Sequence, residues 1–389
     1  MDTLKTRANA SAAPATSPRV PFLDLKAQYA SIKHEVDAAI SSVINDSAFI
    51  LGRAVAEFET DFAQYCGVQH CVAVNSGTSA IHLALLAAGV GPGDEVIAPA
   101  NTFIATCAPI VYCGATPVLV DVDPATYNID PELVKTALTR RTKVIMPVHL
   151  YGRPAPIEEL RAIAQEAGAV MIEDACQAHG AMYKNRRVGQ FGDAACFSFY
   201  PGKNLGAYGE GGAIVTNNAG WADKLRLWRD HGSSRKYHHD LLGYNYRLEG
   251  IQGAVLGVKL RHLDDWNSTR RERASRYRRL LQGANLDLPP EDNDAQSVYH
   301  LFVVQVDERD RFQHDLKAAG IDTLIHYPIP VHKQPAFAAM NQLNFPVTER
   351  LAARIVSLPI YPELTNAQQD HVAAVARASA AQTMNEINR

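Results

Sequence analysis

The chain has no long hydrophobic run, no excess of either charge and no paired-cysteine motif. None of its apolar stretches approaches the ~20 residues needed to cross a bilayer. Thirty-eight basic residues against forty-one acidic ones leave a formal charge of −3 over 389 residues. That balance argues against a nucleic-acid groove or a membrane-surface patch. The longest basic cluster, STRRERASRYRR at 268–279, alternates with apolar residues at helical spacing and reads as a solvated helix face. The six cysteines, Cys66, Cys71, Cys107, Cys113, Cys176 and Cys196, form no CxxC pair. Most lie in apolar surroundings, as reduced thiols of a cytoplasmic protein would. The N-terminus lacks the hydrophobic core of a secretory signal, and its Ala/Ser/Thr/Pro content predicts a disordered tail over 1–20.

What is present is an α/β rhythm. Helical apolar spacing covers 24–45 and 53–67. From 70 to 217 the short apolar runs CVAV, EVIAP, PVLVDV, KVIMPV, AVMIED, AACFSF and GAIVT alternate with helical patterns or turn signals. Strands apolar on both sides, separated by helices, predict a mainly parallel sheet covered on both faces. A long helical pattern follows over 247–282. Beyond a Pro/Asp-rich break, VYHLFVVQV, a helix around 308–319, the loop HYPIPVH and a last helix near 366–381 predict a small α+β domain. The expected division is a tail over 1–20, a large domain over 21–250, and a linking helix with the small domain over 251–389.

In open parallel sheets ligands gather beyond the carboxyl ends of the strands, so the polar residues there carry the chemistry. FSFYPGKNLGAYGEGG at 197–212 sets Lys203 among Phe, Tyr, Pro and Gly with no other basic residue. It is not a P-loop: Asn204 follows the lysine, and Phe197 stands where the first glycine belongs. GAYGEGG leads into a strand and so is not a dinucleotide fingerprint. VNSGTSAIHLALL reads as a strand, a small-residue turn and a helix. The free N–H groups opening that helix, around Ser76, Gly77, Thr78 and Ser79, suit a phosphate as well as an ordinary N-cap. AVMIEDACQAHG ends a buried strand in Glu173 and Asp174. An acid there, opposite a cationic ring nitrogen, fits the acidic partner of pyridoxal 5'-phosphate (PLP), and a poorly solvated Lys203 fits a nucleophilic amine. Phosphate cradle, strand-end acid and buried lysine are together far more specific than any one alone.

These motifs, with FILG, GVGPGDEVIAPANTFIAT, PVHLYG and NYRLEGIQGAVL, give the chain a resemblance to the DegT/DnrJ/EryC1/StrS sugar aminotransferases from VPFLDLKAQY to VSLPIYPEL. The resemblance implies the aspartate-aminotransferase fold (fold type I) and a homodimer with shared sites. It also implies PLP, cycling through pyridoxamine 5'-phosphate (PMP), as cofactor. Lys203 matches the Schiff-base lysine and Asp174 the acid at the ring nitrogen. Gln177 matches the residue beside the ring oxygen, Gly77, Thr78 and Ser198 phosphate ligands, and Phe103 the stacking aromatic. Asn245 matches a phosphate contact given to the partner subunit, with Arg247 close enough to share that role. Family dehydratases carry His in place of the lysine, so Lys203 favours transamination.

His179, Tyr183, His326, Tyr327 and His332 stand as substrate candidates. His179 could equally satisfy a backbone carbonyl. KYHHD at 236–240 lacks the spaced second pair of a metal site and reads as a loop. Arg235 and Lys236 read as a surface pair. The expected reaction moves an amino group from L-glutamate to C3 of a dTDP-linked 3-keto-6-deoxyhexose. The alternatives are amination at C4, a UDP- or GDP-linked sugar, or a non-catalytic PLP-binding regulator.

Overall fold

The structure, a computed structural model, describes residues 19–387, with side chains through 381. Four helices frame the site: α1 (Leu25–Asn45), α2 (Arg53–Cys66), α3 (Gly77–Ala87) and α4 (Ile104–Tyr112). The seven apolar runs become β1 (His70–Val74), β2 (Glu95–Pro99), β3 (Thr116–Val120), β4 (Thr142–Ile145), β5 (Val170–Asp174), β6 (Ala194–Ser198) and β7 (Gly212–Thr216). They form one sheet in the order β1-β7-β6-β5-β4-β2-β3, parallel except for β7, which is antiparallel to both neighbours.

Alternation along the strands fills both faces. Val72, Val74, Cys196 and Ile214 pack toward α3 and α4, while Cys71, Ala73, Ala195 and Phe197 pack toward Phe58 and Phe62 of α2. Neither face of the central strands meets water, which is why the runs are apolar throughout.

The helical pattern over 247–282 is two helices, Gly250–Leu260 and Leu263–Leu281. At the break, Arg261 and His262 both turn to Glu35 of α1, at 2.7 and 3.0 Å. Beyond them Phe302–Gln305 pairs antiparallel with Ile355–Leu358, over a core that includes Tyr277, Phe312, Tyr361 and Val372. Val20 belongs to that core: it is fully buried, and its N–H donates to Gly320 O at 2.9 Å. Val20, counted in the tail expected over 1–20, is therefore anchored in the fold by its apolar side chain. Residues 1–18 lie outside the described residues. The last helix runs Asn366–Ile387, and no described helix is long and apolar enough to cross a membrane.

At the carboxyl end of β5 the alternation separates two consecutive acids. Glu173 lies on the face of Met171, fully buried, and Asp174 on the face of Ile172. Glu173 Oε1 accepts from the N–H groups of Phe191 and Gly192 at 3.0 and 2.7 Å. Its Oε2 accepts from Gly189 N–H at 2.9 Å and from the His149 ring at 3.0 Å. His149 Nδ1 accepts from Ala155 N–H at 3.0 Å, so the imidazole proton sits on Nε2 and points at the carboxylate.

Burial pushes the Glu173 carboxyl up, but His149 and the glycine N–H groups outweigh it and hold it below its ordinary value. A carboxyl lowered by folding contributes stability above its unfolded pKa of 4.5, lost as pH falls through the folded value. Glu173→Gln would turn an NH2 group toward these donors. We expect it to cost roughly 3–5 kcal/mol in urea unfolding at neutral pH. The gap between variant and parent should narrow as the pH drops below 4.5.

Candidate active site

The carboxyl ends of β1, β5 and β6 open into a cavity of about 590 Å³, whose far wall comes from His300, Leu301, His326, Tyr327 and Ile360. After β6 the chain turns tightly, with Lys203 N–H donating to Tyr200 O and Ala207 N–H to Phe199 O, at 2.9 and 2.8 Å. The turn sets the Lys203 side chain on the cavity wall. Burial lowers its amine below the ordinary lysine range, against the opposing pull of Cys176 and Asp174. A larger neutral fraction makes it a better nucleophile and base.

Asp174 is 4% exposed and faces the same cavity. Its Oδ2 accepts from Thr106 Oγ1 of α4 at 2.7 Å and its Oδ1 from Cys176 N–H at 3.1 Å. Thr106 in turn accepts from Thr102 Oγ1 at 2.7 Å, since its own proton is given to Asp174. Gln177 Oε1 accepts from Tyr151 N–H at 2.7 Å, which aims its Nε2 at the Tyr327 hydroxyl, 3.0 Å away. Tyr151 donates to His326 O and so ties the small-domain loop to the same corner. Phe103, half exposed at the start of α4, faces Tyr327 with ring centroids 5.2 Å apart.

Helix α3 opens on this cavity. Ser76 caps it, its Oγ accepting from Ser79 N–H at 3.0 Å, whereas the N–H groups of Gly77 and Thr78 have no partner among the described residues. A Cβ on Gly77 would meet Ser198 Cβ at 2.7 Å and Cys176 Sγ at 3.0 Å. The bare backbone, the positive helix end and Ser198 form a cradle that suits a phosphate. With Asp174 and Lys203 on the same cavity, the residues present fit PLP.

Gly77, Thr78, Phe103, Asp174, Gln177, Ser198, Lys203, His326 and Tyr327 thus come together around one cavity. Four other candidates do not line that cavity. His179 is fully buried beside Phe197 and Phe199, with ring centroids 5.5 and 5.7 Å away. Burial, then the charge of Lys203, push it down to about 3, so it is a neutral core imidazole and not a wall residue. His332 is likewise fully buried, bonded to Glu349 Oε1 at 2.9 Å and packed on Phe345. Tyr183 sits on a short strand against Phe191, outside the cavity. Asn245 is exposed, its Oδ1 accepting from Arg247 at 2.9 Å. Thr106, Tyr151, His300 and Arg270 were given no role from the sequence, although Thr106 and Tyr151 lie within the motifs GVGPGDEVIAPANTFIAT and PVHLYG.

The model of the DegT/DnrJ/EryC1/StrS aminotransferase family matches residues 30–377. The chain belongs to this family. It is a PLP-dependent nucleotide-sugar aminotransferase with the fold type I architecture. It is 47% identical to the dTDP-3-amino-3,4,6-trideoxy-alpha-D-glucose transaminase of Streptomyces venezuelae, over 91% of this chain and 94% of that one. It is 46% identical to the UDP-N-acetyl-3-dehydro-alpha-D-glucosamine 3-aminotransferase of Acidithiobacillus ferrooxidans, over 92% and 97%. The solved structure of NtdA from Bacillus subtilis with bound PMP superposes with a TM-score of 0.88 at 32% identity, over 95% of this chain and 87% of that one.

The cradle carries a test. Gly77→Ala should leave the fold intact, yet weaken PLP binding by roughly ten- to a hundredfold, the cost of overpacking by one methyl group. Absorbance titration of the cofactor-free protein measures it, and unchanged affinity would remove Gly77 from the phosphate site.

Proposed function

We propose that this aminotransferase moves the amino group of L-glutamate to C3 of a dTDP-linked 3-keto-6-deoxyhexose, yielding a 3-amino-3,6-dideoxy sugar. The observation that carries the choice of C3 lies in the two relatives. They differ in nucleotide, dTDP against UDP, yet both are named for position 3. The 6-deoxy choice draws support from the apolar side of the cavity. Phe22, Leu301, Leu324 and Ile360 suit a methyl group. A UDP-linked 3-keto sugar is the second reading, favoured by the near-equal identity of the Acidithiobacillus relative.

When bound, PLP supplies an aldehyde that captures amino groups and a ring that stores the electron pair left at the donor's α-carbon. The N–H groups of Gly77 and Thr78 and the Ser198 hydroxyl would hold its phosphate. Asp174, fixed by Thr106 and Cys176 N–H, would keep a proton on the ring nitrogen. Gln177 would serve the ring oxygen and Phe103 would pack on the ring. Lys203 Nζ, made less basic by burial, takes the donor's α-proton and later delivers a proton to the sugar carbon that gains the amine. His326 and Tyr327, at the cavity's far wall, face the sugar.

Supplying dTDP-3-keto-6-deoxyglucose, dTDP-4-keto-6-deoxyglucose and a UDP-linked 3-keto sugar separately with L-glutamate tests the substrate choice. We expect turnover of the first, with NMR locating the new amine at C3. An amine at C4, or turnover of the UDP sugar alone, would overturn the choice and leave the PLP chemistry standing.

A homodimer with shared sites is part of the proposal. It is supported by Asn245, exposed and off its own chain's cavity, and by the exposed apolar residues Phe49, Ile50 and Tyr200. Lys203→Ala alone should lose turnover by at least ~10²–10⁴-fold, and Asn245→Ala should be impaired. Mixed after subunit exchange, the two should regain activity, because the hybrid then holds one doubly damaged site and one intact site. No recovery despite demonstrated exchange would mean that each site is built from one chain.

A further inference from the structure

The cavity wall holds a cation that the reactions above leave unused. Arg270, on the helix Leu263–Leu281, lines the cavity and is 4% exposed. Its Nη1 donates to the main-chain carbonyls of Tyr299, His300 and Ile360 at 3.2, 3.4 and 2.8 Å. Among the described residues no carboxylate lies within ion-pair distance of it, and its Nε and Nη2 have no hydrogen-bond partner. Burial lowers the guanidinium to about 10, with only the more distant Glu363 opposing, so it stays charged at neutral pH. Buried charges are ordinarily paired, and a guanidinium carries five N–H donors in a fork that matches a carboxylate. This one is built with part of its fork unspent.

Its neighbour His300 also lines the cavity. Asn204 Nδ2 is committed to Asn267 Oδ1 and Val298 O at 2.9 and 3.0 Å, so its Oδ1 must accept. The His300 proton therefore sits on Nδ1, 3.2 Å from that oxygen. Burial, and after it the charges of Lys203 and Arg270, hold His300 well below its ordinary value. The imidazole stays neutral, leaving Arg270 as the fixed cation of this corner. Arg270, His300 and Lys203 all line the same cavity.

We infer that Arg270 binds the α-carboxylate of the amino donor. The donor is the reactant that brings a carboxylate to within one carbon of the atom that must meet Lys203. The sugar's diphosphate is attached away from the reacting carbon and has to extend toward the mouth, where a guanidinium 4% exposed is out of reach. The cofactor's phosphate belongs to the start of α3. The inference rests on the reading of the protein as an amino-acid-dependent aminotransferase, and it names the residue that selects that donor.

The test compares L-glutamate with its α-carboxamide in the donor half-reaction, followed by loss of the PLP absorbance. Arg270→Gln should raise KM for L-glutamate by roughly 30-fold or more, the usual cost of removing one partner of a buried charge pair. KM for the α-carboxamide should change by only about threefold, within the scatter of uncharged contacts. Arg270→Lys, which keeps the charge, should retain part of the preference, and it serves if the glutamine variant fails to fold. Calorimetry of the PLP-loaded protein with glutarate, which has no amine to react, should reveal the same loss of affinity. Variants that keep the wild-type preference would overturn the inference, as would equal losses with both donors in both variants, the mark of a packing role alone. If the wild type reacts with neither compound, the donor reading falls and the inference with it. If the wild type uses glutamate and the variants keep the preference, the inference alone falls.

Discussion

Two consecutive acids at the end of β5 point in opposite directions, and the site depends on what each of them meets. Glu173 is surrounded by four donors, from Gly189, Phe191, Gly192 and His149, and so has spent its accepting capacity. Asp174 has two, from Thr106 and Cys176, although it is nearly as buried. An ionised carboxylate accepts about four hydrogen bonds. Leaving a buried one short costs several kcal/mol unless a ligand completes it. Glu173 therefore fixes the strand end and Asp174 keeps an opening for a cationic partner. A one-residue slip of β5 would exchange the roles and destroy both, because alternation reverses every side chain.

The large sheet was legible because each run is apolar on both sides, and its bounds needed only turn signals to find. Lys203, Asp174 and the Gly77–Thr78 turn were legible for a related reason. They sit within a few residues of strand ends, where the sheet's polarity already says that ligands gather. Thr106 was not, although it ends the motif GVGPGDEVIAPANTFIAT, since only packing brings a helix threonine to Asp174 and gives it a role. Arg270 was hidden in a basic helix whose other arginines do meet carboxylates, such as Arg276 with Asp370 and Arg278 with Glu291. His179 and His332 erred in the other direction. Histidines near motif residues look alike in sequence, and only burial separates a core imidazole from one on the wall.

Charge in and around the cavity follows a single economy. Lys203, His179, His300 and His326 are four groups able to carry a proton within a small space, and burial comes first among the causes that lower each. Desolvation penalises the charged form, and for the three histidines the charge of Lys203 adds to the penalty. His326 is pushed down to about 4 in this way. Arg270 escapes because a guanidinium starts so high that even a drop to about 10 leaves it protonated. A permanent cation on this wall gives an incoming carboxylate a place to dock that burial does not neutralise.

That docking place could not be built from one stretch of chain. The wall opposite the strand ends joins residues from the helix Leu263–Leu281, the segment around His300, the loop at His326–Tyr327 and Ile360. Phe22 and Leu23 complete it from the other end of the sequence, carried there by Val20 in the small-domain core and held by α1, whose Ile32 and Val36 pack against Val255 and Val258. The Nη1 bonds of Arg270 to three carbonyls cross between these segments, so the guanidinium is oriented by the same contacts that close the wall. Substrate binding and the docking of the small domain thus share one side chain. Binding an anion there would strengthen both, since a satisfied fork holds its carbonyl partners more firmly than one left in competition with water.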